Sequence, residues 1–281
     1  MEIFQYQFMQ KAFIIGLVIS VICPLVGLFI TLRRMSLIAD ALSHISLAGV
    51  AAGLLAGINP VLGASIFAVG GGLLIENLRQ RYRYYSELSI AIMLSAGVAL
   101  AAVLLGIGNG LNANILSFLF GSIVVSDNTD VMVILISGAI VLILITVLFK
   151  ELYLITFDEE TAQISGLPVK AINTIFTIIT ALTVAVAMRI VGILMVSSLM
   201  ILPVAAALQV AQSFRRAMLY AISFGMISVV SGLYASFYLD LPPGGTIILI
   251  TVALLLVILA AKNFKANHNH HQRQINEATA E

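Results

Sequence analysis

Apolar stretches of about twenty residues alternate along this chain with short polar breaks. They cover roughly 12–32, 37–57, 60–78, 87–107, 131–149, 170–188, 191–210, 217–238 and 245–261. A helix rises 1.5 Å per residue, so about 20 apolar residues cross the roughly 30 Å of hydrocarbon in a bilayer. The pattern predicts an all-α, polytopic membrane helix bundle of about eight or nine spans. A further stretch, 115–125, is marginal for a crossing and is expected to re-enter or lie at the interface. No polar stretch is long enough for a second soluble domain. Residues 1–262 therefore read as one transmembrane domain, and 263–281 as a polar, disordered tail.

Composition strengthens this picture. The chain is 61% hydrophobic and 10% charged, whereas soluble domains carry about 25% charged residues. Cys23 is the only cysteine, which excludes an intrachain disulfide and a Cys-rich zinc site. The N-terminal MEIFQYQFMQ lacks a basic region, and the first apolar run is too long for a signal-peptide core, so it is expected to be a retained span.

The net charge of +1 says little, but its distribution orients the chain. With the N-terminus outside, Arg33, Arg34, Arg79, Arg81, Arg83, Lys150, Lys170, Arg215, Arg216, Lys262, Lys265 and Arg273 all fall inside. Only Lys11 and Arg189 fall outside. Basic residues concentrate on the cytoplasmic side of membrane proteins, which places the C-terminus in the cytoplasm.

Candidate chemistry begins with Asp40 and His44, four residues apart within the second apolar run. That spacing puts both on one helical face. A carboxylate at the bilayer centre costs roughly 2.5–3.5 kcal/mol on insertion scales, so its presence there demands a role. A carboxylate and an imidazole suit a borderline divalent metal. Two ligands are too few for a closed zinc site but suit a transient one, and two copies meeting on a two-fold axis would supply four. Gly49, Gly53 and Gly57 form a small-residue stripe about 100° round the same helix, as expected for close helix packing.

The second candidate is TFDEETAQISGLP, residues 156–168. Thr156 and Glu159 fit a capping box, Gly166 is placed to close the helix and Pro168 to stop it. The segment predicts a short amphipathic helix on the basic side, suited either to connecting two spans or to docking on a soluble partner. His268, His270 and His271 give the tail some metal-binding character, although a bland tail is the simpler reading. Asp127, Asp130 and Asp240 fall in outer loops, where solvated charge is the simplest expectation. There is no GxxxxGK[ST], HExxH or GxSxG, so nucleotide binding, zinc proteolysis and serine hydrolysis lack their motifs.

Several stretches then carry a family likeness. RRMSLIADALSHISLAGVAAG at 33–53 resembles the signature of metal-ion ABC transporter permeases, the zinc, manganese and iron permeases of bacterial uptake systems. FDEETAQISGLPV at 157–169 resembles their cytoplasmic coupling helix, and 186–218 resembles their late core helices, with Pro203 in place. FYLDLPPGG at 237–245 resembles the outer loop before their last helix. The similarity covers nearly the whole chain.

The resemblance implies a multi-pass permease subunit of the bacterial plasma membrane, paired with a second copy of itself. It also implies a cytoplasmic ABC ATPase dimer as the site of ATP hydrolysis, and an extracytoplasmic metal-binding protein. Membrane lipid is the only other partner implied, and neither a nucleic acid nor a covalently bound cofactor is. By matching position, Asp40 and His44 correspond to intramembrane metal-path residues; Asp158, Glu159, Ala162 and Gly166 fall in the coupling helix. The Arg-Arg-Met-Ser opening looks closer to zinc permeases, so zinc is the expected cargo, with manganese or iron as alternatives. Ala39 replaces the glycine usual before the Asp. A secondary carrier working alone and an intramembrane metalloenzyme are the competing readings. The docking helix disfavours the first, and the missing third ligand and general base disfavour the second.

Overall fold

The structure is a computed structural model that describes residues 5–82, 86–108, 112–122 and 128–278. Among the described residues there is no strand. The helices are α1 (Gln7–Leu32), α2 (Leu37–Ala56), α3 (Pro60–Arg81), α4 (Ser86–Ile107), α5 (Asn112–Phe120) and α6 (Asn128–Val147). They continue with α7 (Phe149–Phe157), α8 (Glu159–Ile164), α9 (Val169–Val191), α10 (Val196–Val210), α11 (Phe214–Leu239) and α12 (Pro243–Ala278). Nine of the described helices are long and apolar enough to cross a membrane. Each holds one of the nine apolar runs, so the chain is a multi-pass membrane bundle.

α1, α2 and α9 form its buried heart, and α4, α6 and α12 face mostly outward. Without water to drive apolar surfaces together, membrane helices gain contact by approaching closely over small residues. Gly27 of α1 does this: a Cβ there would lie 1.9 Å from the Met200 carbonyl oxygen of α10. The stripe on α2 divides between two uses. Gly49 and Gly53 meet Gly63 and Pro60 of α3, while Gly57 adopts a left-handed φ of 70° and caps α2. Asn59 then starts α3: its Oδ1 accepts from Val61 N at 2.9 Å and Leu62 N at 3.3 Å, with Pro60 in the first turn.

α5 has nine residues, about 13 Å of helix, and does not span. The part of 115–125 beyond Ser122, with Asp127 and Arg83, lies outside the described residues. At the other extreme, α12 continues as helix to Ala278, through the segment expected to be disordered. Its polar part follows an existing helix without a Pro or Gly, so it needs no fresh nucleus. The tail histidine side chains lie outside the described residues.

The breaks between spans gather at two ends. One carries Arg33, Arg79, α8 and the start of α9; the other carries Asn59, Asp130, α5 and the turn at Gly192.

Candidate functional site

Asp40 is the fourth residue of α2 and His44 sits one turn further on. Both are half-buried, between the buried Ala41, Ser43 and Ala48 on one side and the exposed Leu37 on the other. Among the described residues neither side chain has a hydrogen-bond or ion-pair partner. Asp40 lies about 5 Å along the axis from the start of α2, in its first turn. The first turn also offers partial positive charge from unpaired backbone amides, which favours a carboxylate there. His44 is about 11 Å in. Gly97 of α4 presses on the backbone at His44 and Ile45, where a Cβ would lie 2.9 Å from Ile45 N, so the imidazole sits on a braced segment. No group of three or more His, Cys, Asp or Glu side chains converges anywhere among the described residues. One copy therefore offers a bound cation two ligands at most here, a site open to exchange rather than closed.

The short helix α8 forms where the sequence places it, with a different cap. Asp158, not Thr156, is the N-cap: its Oδ1 accepts from Thr161 N at 2.9 Å. These hydrogen bonds to Thr161 hold the Asp158 carboxyl below its usual range. Thr156 belongs to the last turn of α7, where its hydroxyl donates to the Leu152 carbonyl. The capping box fails because α7 runs up to Phe157, leaving Thr156 helical and unable to take the extended backbone a cap requires. Gly166 closes the segment with φ 83°, and its amide donates to Gln163 O. Ala162 faces inward and is fully buried; the other five residues of α8 are exposed, among them the apolar Ile164 at 86%.

A polar network that the sequence reading missed joins α8 to the elbow before α2. Arg33 Nε donates to Thr156 Oγ1 at 3.1 Å and its Nη1 donates to Asn173 Oδ1 at 3.0 Å. Asn173 Nδ2 in turn donates to Glu159 Oε1 at 3.3 Å. The Arg33 guanidinium lies over the Phe176 ring, 4.7 Å from its centroid. Burial, with Arg79 nearby, pushes its pKa down to about 10, and Glu159 and Glu76 offset part of that. It stays charged at neutral pH. Beside it the buried Glu76 takes Arg79 at 2.8 Å and receives the Thr177 hydroxyl at 3.5 Å. Cavities of about 450 and 540 Å³ open on this network, lined by Arg33, Arg79, Glu87, Glu159, Lys170 and Asn173 among others.

The opposite end has its own cluster. Asp130 and Arg189 form a 2.8 Å ion pair with both side chains almost fully buried. Asn59 Nδ2 donates to the other carboxylate oxygen at 2.8 Å, and Arg189 lies over the Phe118 ring at 4.8 Å. Asp130 is therefore no solvated loop charge.

The described residues thus form a helix bundle able to cross a membrane nine times, with a half-buried carboxylate–imidazole pair in one of its most buried helices and a helix too short to span at one end. The chain belongs to the ABC 3 transport family, whose family model matches residues 5–262, and it is a metal-ion ABC permease. It is 39% identical over 256 residues to the "Probable metal transport system membrane protein" of Treponema pallidum, covering 91% of this chain and 96% of that one. It is 30% identical to the "Manganese transport system membrane protein MntC" of Listeria monocytogenes, covering 90% of each. Among solved structures, "PsaBC from Streptococcus pneumoniae in complex with Fab" superposes with a TM-score of 0.80 at 30% identity, covering 90% of this chain and 91% of that one.

Proposed function

We propose that this permease carries a divalent first-row transition metal inward through a path made by two copies of the chain. A cytoplasmic ABC ATPase dimer drives it, and an extracytoplasmic binding protein delivers the ion. The observation that carries this reading is the Asp40–His44 pair: half-buried, without a partner among the described residues, and one ligand set short of a full site. A second copy supplies the missing pair, giving two carboxylates and two imidazoles. The end bearing Arg33, Arg79 and α8 is cytoplasmic in this reading, in line with the distribution of basic residues. α8, with Asp158, Glu159 and Gly166 shaping it, Ala162 anchoring it and Ile164 outermost, is the surface that meets the ATPase.

The relatives favour manganese as cargo: the permeases named MntC and ScaB, 30–32% identical to this chain, carry manganese in their names. Zinc is the second reading, favoured by the Arg-Arg-Met-Ser opening. Carboxylates suit manganese and imidazoles suit zinc, so the ligand types alone leave both open. Uptake of radiolabelled manganese and zinc, each competed by the other, in cells with this permease as the sole route separates them. Asp40→Asn and His44→Ala are expected to abolish uptake of the preferred ion while the protein reaches the membrane in normal amount. Wild-type uptake by either variant overturns the role of the pair.

A further inference from the structure

We infer that Asn173, between Arg33 and Glu159, is the positioning residue that ties the movement of α8 to the helix carrying Asp40 and His44. The inference rests on the proposed function, and it names the route by which work done at α8 reaches the ion path.

The contacts run without a gap. Glu159 is the first residue of α8 and accepts from Asn173. Asn173, in the second turn of α9, accepts from Arg33. Arg33 is the C-cap of α1 and is three residues from the N-cap of α2. The piece between is not slack. Arg33 N donates to Phe29 O, Met35 N to Ile30 O, and Ile38 N to Met35 O. Arg34 holds a left-handed φ of 57°, a conformation that non-glycine residues adopt only when their surroundings impose it. Displacing the Arg33 side chain therefore moves the first turn of α2, and Asp40 lies in that turn.

The chemistry of each group fits a relay. Arginine presents donors in a rigid fork, and here one donor reaches α7 and another α9; a lysine ammonium has donors enough but no fork that fixes the two directions together. Asparagine has an acceptor and a donor on one planar amide, so it passes strain from a donor on one side to an acceptor on the other. The cavities beside this network leave room for rearrangement.

The test uses the permease assembled with its ATPase and binding protein in liposomes, reading ATP hydrolysis stimulated by metal-loaded binding protein and metal moved per ATP. Asn173→Asp keeps the acceptor for Arg33 but removes the donor to Glu159 and sets two carboxylates together. It is expected to lower both readouts about tenfold, the scale of one hydrogen bond to a charged group, with the complex still assembled. The double variant Asn173→Asp/Glu159→Gln restores the bond with the direction reversed, position 159 now donating, and is expected to recover at least half of the coupling. Should Asn173→Asp fail to assemble, Arg33→Lys is read in its place, with the same loss expected. An assembled Asn173→Asp complex with normal coupling, a double variant no better than the single, or normal coupling in Arg33→Lys each overturns the relay alone. A wild-type complex that assembles and moves no metal overturns the proposed function as well.

Discussion

The two ends of the bundle solve the burial of charge in opposite ways. At the Asp130 end a single carboxylate and a single guanidinium meet at 2.8 Å with almost no exposure, steadied by Asn59 and the Phe118 ring. At the Arg33 end eight polar side chains from α1, α3, α7, α8 and α9 or their flanks share bonds of 2.8–3.5 Å beside open cavities. Gly244 and Gly121 sit where a Cβ would lie 1.9 Å from a backbone carbonyl oxygen, whereas Gly57 and Gly245 at the same end, like Gly166 at the other, have nothing within 4 Å. A cavity of about 520 Å³ opens at the Asp130 end as well, lined by Phe120, Gly121 and Pro243 among others, so the ends differ in how charge is held and not in open space. Under the proposed function, α2 is held near Asn59 by the ion pair and shifts at its Arg33 end.

The largest expected effect breaks the fixed end. Asp130→Ala leaves the Arg189 guanidinium buried without its carboxylate, and losing one partner of a buried ion pair costs about 3–5 kcal/mol. The thermal unfolding midpoint in detergent should fall steeply. Asp130→Leu combined with Arg189→Met removes both charges and is expected to regain more than half of the loss. An unchanged midpoint in Asp130→Ala would mean that the pair does not hold this end.

The glycines sharpen the comparison at smaller magnitude. In Gly244→Ala the added methyl meets the Val191 and Phe120 carbonyls, backbone atoms that no side-chain rotation can clear. Overpacking of this kind costs about 3 kcal/mol. Gly166→Ala meets open space and pays only for its left-handed backbone, about 1–2 kcal/mol. Unfolding midpoints should rank Gly244→Ala well below Gly166→Ala, and the reverse order would mean that the close approach at Gly244 is not a rigid one.

The spans were legible in the chain because a bilayer demands long apolar runs, and all nine runs lie on long helices. α8 was legible because turn chemistry is local: Gly166 and Pro168 punctuate it whatever surrounds it. Both polar clusters escaped notice. Asn59, Asp130 and Arg189 are 71 and 59 residues apart in successive steps, and periodicity says nothing of pairing across such distances. Arg189 did leave a trace, as one of two basic residues on the wrong side of the charge rule. Its buried partner accounts for the exception. Asn173 left none, since one asparagine near a helix start reads as ordinary. The inward face of Ala162 was equally hidden, because a six-residue helix is too short for its pattern to tell docking surface from packing surface.

The smallest effect tests how the movable end is fastened. Asp158 caps α8 as a carboxylate, accepting from the Thr161 amide and hydroxyl, and these bonds depress its pKa. A carboxyl with a folded pKa below its unfolded value adds stability above the unfolded pKa, and that stability is lost as pH falls through the folded one. Hydrogen-exchange protection of 159–164, corrected for intrinsic rates, should therefore weaken as pH drops below the ordinary carboxylate range. Glu159 and Glu160 are carboxylates in the same first turn, so wild type alone does not isolate Asp158. Asp158→Asn does: asparagine caps about as well as aspartate and does not ionise. Its α8 should keep its protection at neutral pH and lose part of the low-pH step. The network at Arg33 should be indifferent to the change, because Glu159 bonds to Asn173 through its side chain and not through the cap. An asparagine variant with the full acid step would leave Asp158 a cap of shape alone.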